Sequence, residues 1–277
     1  MALYPAVDGL PAEWIVDSLK TFGTNVGGLV PRSFEAYARV FHPAWIGRED
    51  GRPVSWREIA MTNNKTAHPE MQFRALVPPG SFDQAGNMRG GQPDLWTSPP
   101  SDGQIPDEIA SGLARVLSGF TSTPNECYFA YWEGWGDPSP LVAVKPGPFW
   151  RLRHRWAVTR VPEEFGSEGT PRANRDAAAH FKTPGRGYHL FRGEISEVIT
   201  AWDGMGGSLP TMWWPADHAW FVHTEIDLDS TFVGASRPCI DALVATPELE
   251  ALEAELTHGI TWDSDQLNDG ARNDQTE

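Results

Sequence analysis

The 277-residue chain lacks the features of secreted and membrane proteins. Its two cysteines, Cys127 and Cys239, are too few for a disulfide framework or a thiolate metal cage. No stretch approaches the roughly 18 consecutive apolar residues of a membrane-spanning helix. The amino-terminal MALYPAVDGLPAEW lacks the basic and apolar regions of a signal peptide. We therefore expect a cytoplasmic protein with no membrane partner.

Basic residues are also scarce. The chain has 22 Lys and Arg against 37 Asp and Glu, a net charge of −15. The acids are concentrated between Glu248 and Glu277, where Arg272 is the only basic residue. Such a surface repels phosphate backbones, so nucleic acid is not an expected partner.

Complete catalytic motifs are missing as well. The chain contains no G-x-S-x-G, P-loop or H-E-x-x-H sequence. The GMGG at 204–207 follows a helical pattern rather than a strand, which is not the context of a phosphate-binding loop. No cofactor is expected.

Aromatic residues, in contrast, are abundant: 13 Trp, 13 Phe and 5 Tyr. Rings of this size usually fill a core or a partner interface. The WWPAD segment at 213–217 is the best candidate for a partner anchor, with Trp213, Trp214 and Asp217 as its binding residues. Core packing is the alternative for at least one of the two tryptophans.

The hydrophobic patterns predict an α+β fold with a largely antiparallel sheet and flanking helices. We expect a single domain over 1–262, with long loops near 78–106 and 161–187, and a disordered acidic tail over 263–277. The helix predictions are 11–20, a short helix capped by Ser55, 105–120, a piece within 174–181, 196–202, and 236–256 broken at Pro247. The strand predictions are 34–40, 127–135, 150–158, 188–195 and two strands within 219–235.

The segment HTEIDLDST at 223–231 alternates ionisable and other residues. On a strand, His223, Glu225 and Asp227 would share one face, with Ile226 and Leu228 in the core on the other. We expect that strand to turn at Asp229–Ser230. An alternating polar face is ordinary for an antiparallel strand. The alternative is a metal site formed by His223, Glu225 and Asp227, which would need further donors from elsewhere.

A second alternating run, WRLRHRW, places Arg151, Arg153 and Arg155 on one strand face. Neighbouring strands would set these arginines against Glu225 and Asp227 as a ladder of ion pairs. The alternative leaves the three arginines free to bind an anionic ligand or partner.

His218 follows Asp217, which could orient the histidine as a general base. A loop histidine with a local hydrogen bond is the other interpretation. Cys127 lies among aromatic residues and is interpreted as an inert core thiol.

Four stretches resemble a group of uncharacterised actinobacterial proteins: LVPRSFEAYARVFHPAW, CYFAYWEGWG, YHLFRG and WWPADHAWFVHTEIDLDSTFVGAS. They cover about a third of the chain, and this resemblance implies no activity, cofactor or catalytic residue. The acidity, the tryptophan content and the Trp-Asp-Gly at 202–204 are similar to those of SUKH-type immunity and interaction proteins.

These observations lead to two functional hypotheses. The first is a non-enzymatic module that binds a protein partner or a small ligand. The alternative is a hydrolase, with or without a divalent metal, that uses His218, His223 and Asp217 among the acidic and histidine groups of 217–229.

Overall fold

A computed structural model describes residues 3–47, 51–83, 87–135, 141–143, 158–160, 178–200 and 209–268. The strands in this part of the chain are β1 (Tyr4–Pro5), β2 (Ala36–Phe41), β3 (Ala44–Ile46), β4 (Arg52–Val54), β5 (Cys127–Trp132), β6 (Leu141–Ala143), β7 (Val158–Arg160), β8 (Ala179–Thr183), β9 (Arg186–Gly193), β10 (Met212–Pro215), β11 (Trp220–His223), β12 (Ser230–Ala235) and β13 (Ala251–Ala254). The helices are α1 (Glu13–Ser18), α2 (Trp56–Thr62), α3 (Phe73–Leu76), α4 (Asp107–Leu117), α5 (Glu197–Thr200) and α6 (Arg237–Val244).

Nine of the described strands form one antiparallel sheet. Its order is β1-β9-β5-β10-β11-β12-β2-β13, with β8 also paired to β9. The pairs β3–β4 and β6–β7 form two separate hairpins. Helices α4, α5 and α6 pack together over one face of the sheet, and α1 covers the other. The predicted α+β fold with a largely antiparallel sheet and flanking helices is confirmed.

Because both faces of the sheet are covered, its central strands have no face toward water. Every residue of β2, β10, β11 and β12 is buried. Side chains still alternate, but between two cores: Trp213 and Val222 lie in one, and Trp214 and Phe221 in the other. The expected polar face for the strand that ends at His223 is therefore wrong.

The buried part of the sheet also contains a charged side chain, that of Arg39. It lies on β2 and is 2% exposed. Its Nε donates to Ser230 Oγ at 2.9 Å, and its Nη1 donates to the Met71 carbonyl at 2.9 Å. Its guanidinium lies over the Phe41 ring, 4.6 Å from the centroid. A third apolar cluster, which contains Phe41, α2 and α3, is joined to the sheet at this point.

Most predicted elements are present. Ser55 caps α2 by accepting a 3.1 Å hydrogen bond from the Glu58 N–H, which confirms the predicted cap. The predicted helix at 105–120 is α4, and the run at 188–195 belongs to β9. The run at 150–158 lies outside the described residues except for Val158. The 78–106 segment contains no helix or named strand in its described residues, but it buries Trp96 completely.

Three predictions are wrong in their described residues. The helical piece within 174–181 is strand β8 from Ala179 onward, so the loop expected over 161–187 ends in a hairpin. The helix expected over 236–256 ends at Val244, and Ala251–Ala254 pairs with the free edge of β2. The predicted disordered tail is ordered at its start, where Asp265 is fully buried and accepts from the Gln72 N–H at 3.1 Å. Residues 269–277 lie outside the described part.

Within the described residues, no helix combines the length and the apolar character that crossing a membrane requires.

Candidate functional site

The segment 223–231 is a strand end followed by a turn. Strand β11 ends at His223, and the Leu228 N–H donates to the Glu225 carbonyl at 3.0 Å, which closes a turn with Ile226 and Asp227 at its tip. The predicted turn at Asp229–Ser230 is therefore wrong, since β12 already begins at Ser230. Ile226 and Leu228 are only partly buried rather than members of the core.

The turn brings His223 and Glu225 together inside the protein. His223 is 3% exposed and Glu225 is 2% exposed. His223 Nδ1 lies 2.8 Å from the Leu29 carbonyl, and His223 Nε2 lies 3.6 Å from Glu225 Oε2. Asp227, the third residue of the predicted metal site, is 72% exposed and points elsewhere.

An arginine does face these carboxylates, but it is not one of the predicted three. Arg186 at the start of β9 donates to Glu225 at 2.5 Å and to Asp227 at 2.7 Å. Arg151, Arg153 and Arg155 lie outside the described residues. Burial acts to raise the pKa of Glu225, but His223 and Arg186 outweigh it and hold that pKa below its ordinary value.

Asp217 and His218 have separate structural roles. The Asp217 carboxylate accepts from the Ser122 N–H at 2.7 Å and from the Thr121 hydroxyl at 2.8 Å, so it fixes the turn before β5. Burial would raise the pKa of Asp217, but these hydrogen bonds lower it. His218 stacks on Trp14, with ring centroids 4.4 Å apart. Partial burial lowers the pKa of His218, although the negative charge of Asp217 acts to raise it. The geometry therefore does not support the hypothesis that Asp217 orients His218 as a general base.

Trp213 and Trp214 are both completely buried. They extend from β10 into opposite cores, Trp213 beside Trp220 and Trp214 beside Tyr128. An exposed partner anchor at this position is therefore wrong, and the core alternative holds for both residues. Cys127 is also buried, and desolvation raises its pKa to about 12, as befits the expected inert thiol.

The described residues form a groove that the sequence did not predict. It has a volume of about 660 Å³ and is open to solvent. Its walls come from β2 and the β3–β4 hairpin, the first turns of α2 and α4, and the segment that joins α6 to β13. Phe41, Trp45, Ile109 and Leu249 form its apolar walls. The Trp45 indole N–H, itself buried, finds no acceptor among the described residues.

Charges of one sign surround this apolar surface. The groove is lined by Glu58, Glu108, Glu248 and Glu250, against the single guanidinium of Arg57. Two of these acids are partly neutralised by an arginine: Glu58 lies 3.5 Å from Arg52, and Glu248 lies 3.4 Å from Arg115.

Glu250 is committed to holding α2. Its carboxylate accepts from the backbone N–H groups of Trp56 and Arg57, both at 2.6 Å. Burial raises the pKa of Glu250, against the lowering effect of those two donors. Glu108, at the start of α4, is exposed and forms no ion pair with another described residue.

Sequence patterns could not have located the groove, because its walls come from three segments, 41–58, 106–109 and 244–251, that are far apart in the chain. Four prolines line the groove, Pro43, Pro53, Pro106 and Pro247, but their positions in the sequence do not indicate that these segments meet. Comparison with known proteins adds no further assignment: no protein family, no curated protein and no solved structure matches the chain.

Proposed function

We propose that this protein is a non-enzymatic binding module that takes a small organic cation in the groove. The observation that carries the proposal is the combination of an apolar, aromatic floor with a rim of four carboxylates and one guanidinium. The groove's volume of about 660 Å³ lies within the roughly 300–1,000 Å³ of small-molecule sites.

The charge of the rim selects the sign of the ligand. Arg52 and Arg115 are paired with two of the four carboxylates, but the carboxylates still outnumber the nearby guanidinium groups, so the rim favours cations over anions. The net charge of −15 acts in the same direction at longer range. The Trp45 and Phe41 side chains add apolar surface beside these carboxylates. A ligand with a cationic head and an apolar body uses both features.

The groove supports binding rather than catalysis. Its described lining contains no histidine or cysteine, and the hydroxyl of Ser55 already accepts the Glu58 N–H as a helix cap. Glu250, the carboxylate with a raised pKa, is held by two backbone donors. No nucleophile and base are therefore paired in the described part of this groove.

The hydrolase alternative gains little from the residues of 217–229. The cavity beside His223 and Glu225 has a volume of only about 10 Å³, which admits a water-sized group but no substrate. Asp217 and His218 lie on a surface turn where each already has a structural partner.

The proposal is tested by calorimetric titration with three probes of one shape: 4-phenylbutylamine, 4-phenylbutan-1-ol and 4-phenylbutanoate. We expect the amine to bind at least about tenfold more tightly than the alcohol, equivalent to about 1.4 kcal/mol, and the acid to bind most weakly. Added salt should reduce the difference between amine and alcohol because exposed charges are screened.

Matched glutamate variants locate the effect. Glu108→Gln should reduce the preference for amine over alcohol and leave alcohol binding unchanged. Glu13→Gln removes an exposed carboxylate on α1, across the sheet from α4, and should change neither. Equal affinities for amine and acid, or no binding of any probe, would overturn the proposal.

A further inference from the structure

We propose that the ligand of the groove is an amphipathic zwitterion, with an ammonium group at one end, a carboxylate at the other and an apolar body between them. This inference rests on the function proposed above and specifies the class of its ligand. Its cationic end is assigned to Glu108 and its anionic end to Arg57, which lie on different walls of the groove.

Three of the four carboxylates that line the groove are already engaged within the protein. Glu58 has Arg52 at 3.5 Å. Glu248 has Arg115 at 3.4 Å. The carboxylate of Glu250 accepts from two backbone N–H groups at the start of α2, each at 2.6 Å. These three groups are therefore less available to a ligand than an unpaired charge.

One charged group of each sign remains among the lining residues. Glu108, at the start of α4, is exposed and forms no ion pair with another described residue. Arg57, in the first turn of α2, is also exposed, and its guanidinium forms no ion pair within the described part of the chain. The positive charge of Arg57 acts to lower the pKa of Glu250, so its field reaches the lining of the groove.

Apolar surface separates these two charges. Ile109, next to Glu108, belongs to the core cluster that α4 forms with α6. Trp56, next to Arg57, belongs to the cluster that contains Phe41. The apolar lining of the groove comes from both clusters. A ligand that reaches both charges has to cross this surface, which favours an apolar body between its two ends.

The guanidinium of Arg57 is suited to a carboxylate. A guanidinium presents its donors in a planar fork that matches both oxygens of a carboxylate, and such charge-assisted hydrogen bonds are stronger than bonds to a neutral acceptor. A simple anion meets the excess of carboxylates on the rim and is disfavoured. A zwitterion adds no net charge, because the same molecule brings an ammonium group to Glu108.

Calorimetric titration of the full chain with flexible probes tests this assignment. The probes are 6-aminohexanoate, 8-aminooctanoate and 12-aminododecanoate, each compared with the primary amide of the same chain length. The amide keeps the ammonium group and loses the anionic charge, and the three lengths cover different separations of the two ends. We expect at least one carboxylate to bind about threefold to fivefold more tightly than its amide, as for a favourable exposed ion pair. Added salt should reduce this preference.

Matched variants separate the two ends of the ligand. Arg57→Gln should abolish the preference for the carboxylate and leave binding of the amide no weaker. Glu108→Gln should weaken carboxylate and amide by similar factors and so keep the preference. Arg192→Gln removes an exposed guanidinium on β9, toward the opposite edge of the sheet from β2, and should change neither. In wild type, the Nε resonance of Arg57 should shift on addition of the carboxylate and not of the amide.

The outcomes distinguish this inference from the function on which it rests. If 4-phenylbutylamine binds but no carboxylate binds more tightly than its amide at any of the three lengths, the zwitterion assignment is wrong and cation binding stands. A preference that persists in Arg57→Gln would also overturn the assignment, because the carboxylate would then bind elsewhere. No binding of 4-phenylbutylamine or of any other probe would overturn both proposals.

Discussion

Three carboxylates within five residues have three different surroundings. Glu225 is buried against Arg186, Asp227 is 72% exposed, and Asp229 is partly buried, with Arg39 at 3.7 Å. Sequence alternation assigned Glu225 and Asp227 one common face, because it assumed that the strand continued past His223. The turn at Ile226–Asp227 changes the direction of each side chain.

The contrast between Glu225 and Asp227 predicts unequal mutational costs. Glu225→Ala leaves the largely buried guanidinium of Arg186 without its closest partner and should cost about 3–5 kcal/mol. Asp227→Asn alters an exposed pair and should cost about 0–1 kcal/mol. Urea unfolding of both variants measures the difference. Equal losses would show that the two carboxylates share one environment.

Asp229 predicts a dependence of stability on pH. Burial raises its pKa from 3.8 to about 6, against the opposing attraction of Arg39. Between these values the folded state holds a proton that the unfolded state has released, so the stability contributed by this carboxyl falls as the pH rises through about 6.

Comparison with Asp229→Asn isolates this contribution. The Tm of wild type minus that of the variant should decrease between pH 5 and pH 8. A difference that stays constant or increases across this range would contradict the raised pKa.

At the scale of helices and strands, the sequence-based predictions were correct where the local sequence pattern determines the structure. Helix α4 has its apolar stripe and its early acids, and Ser55 caps α2 as its position indicates. The predictions were wrong where pairing between strands distant in sequence determines the structure. Ala251–Ala254 has the composition of a helix, but hydrogen bonds to the edge of β2 make it a strand. No local sequence pattern indicates that β2 has a free edge with which this segment can pair.

The loop before α4 packs against the β11–β12 turn at Gly103. This residue has φ of +72°, and its N–H donates to the Leu228 carbonyl at 2.8 Å. A Cβ here would lie 2.3 Å from the Ile226 carbonyl oxygen, so Gly103→Ala adds a clash with backbone to the cost of a positive φ.

Gly80 provides a matched control for that substitution. Its φ is +94°, and a Cβ there meets no atom within 4 Å. Gly80→Ala should therefore cost about 1 kcal/mol for backbone strain alone, and Gly103→Ala should cost clearly more in the same denaturant assay. Equal costs would show that the turn does not pack against Gly103.

At the scale of the whole molecule, the antiparallel sheet with helices on both faces explains why many aromatic residues are buried. Trp56, Trp96, Trp213, Trp214 and Trp220 are all fully buried, so their abundance reflects core packing at these positions. The groove forms only when β3–β4, α2, α4 and the segment before β13 come together. Its acids are spread between Glu58 and Glu250 in the sequence, which is why composition indicated an acidic protein but not a site.

The central claim is that this groove binds an organic cation. Amide chemical-shift mapping of ¹⁵N-labelled protein during titration with 4-phenylbutylamine tests it most directly. The account predicts saturable shifts at Phe41, Trp45, Leu249 and Ala251, with the amides of Ala6 and Gly9 on the far side of the sheet unchanged. Shifts concentrated outside the groove, or equal shifts with 4-phenylbutanoate, would contradict it.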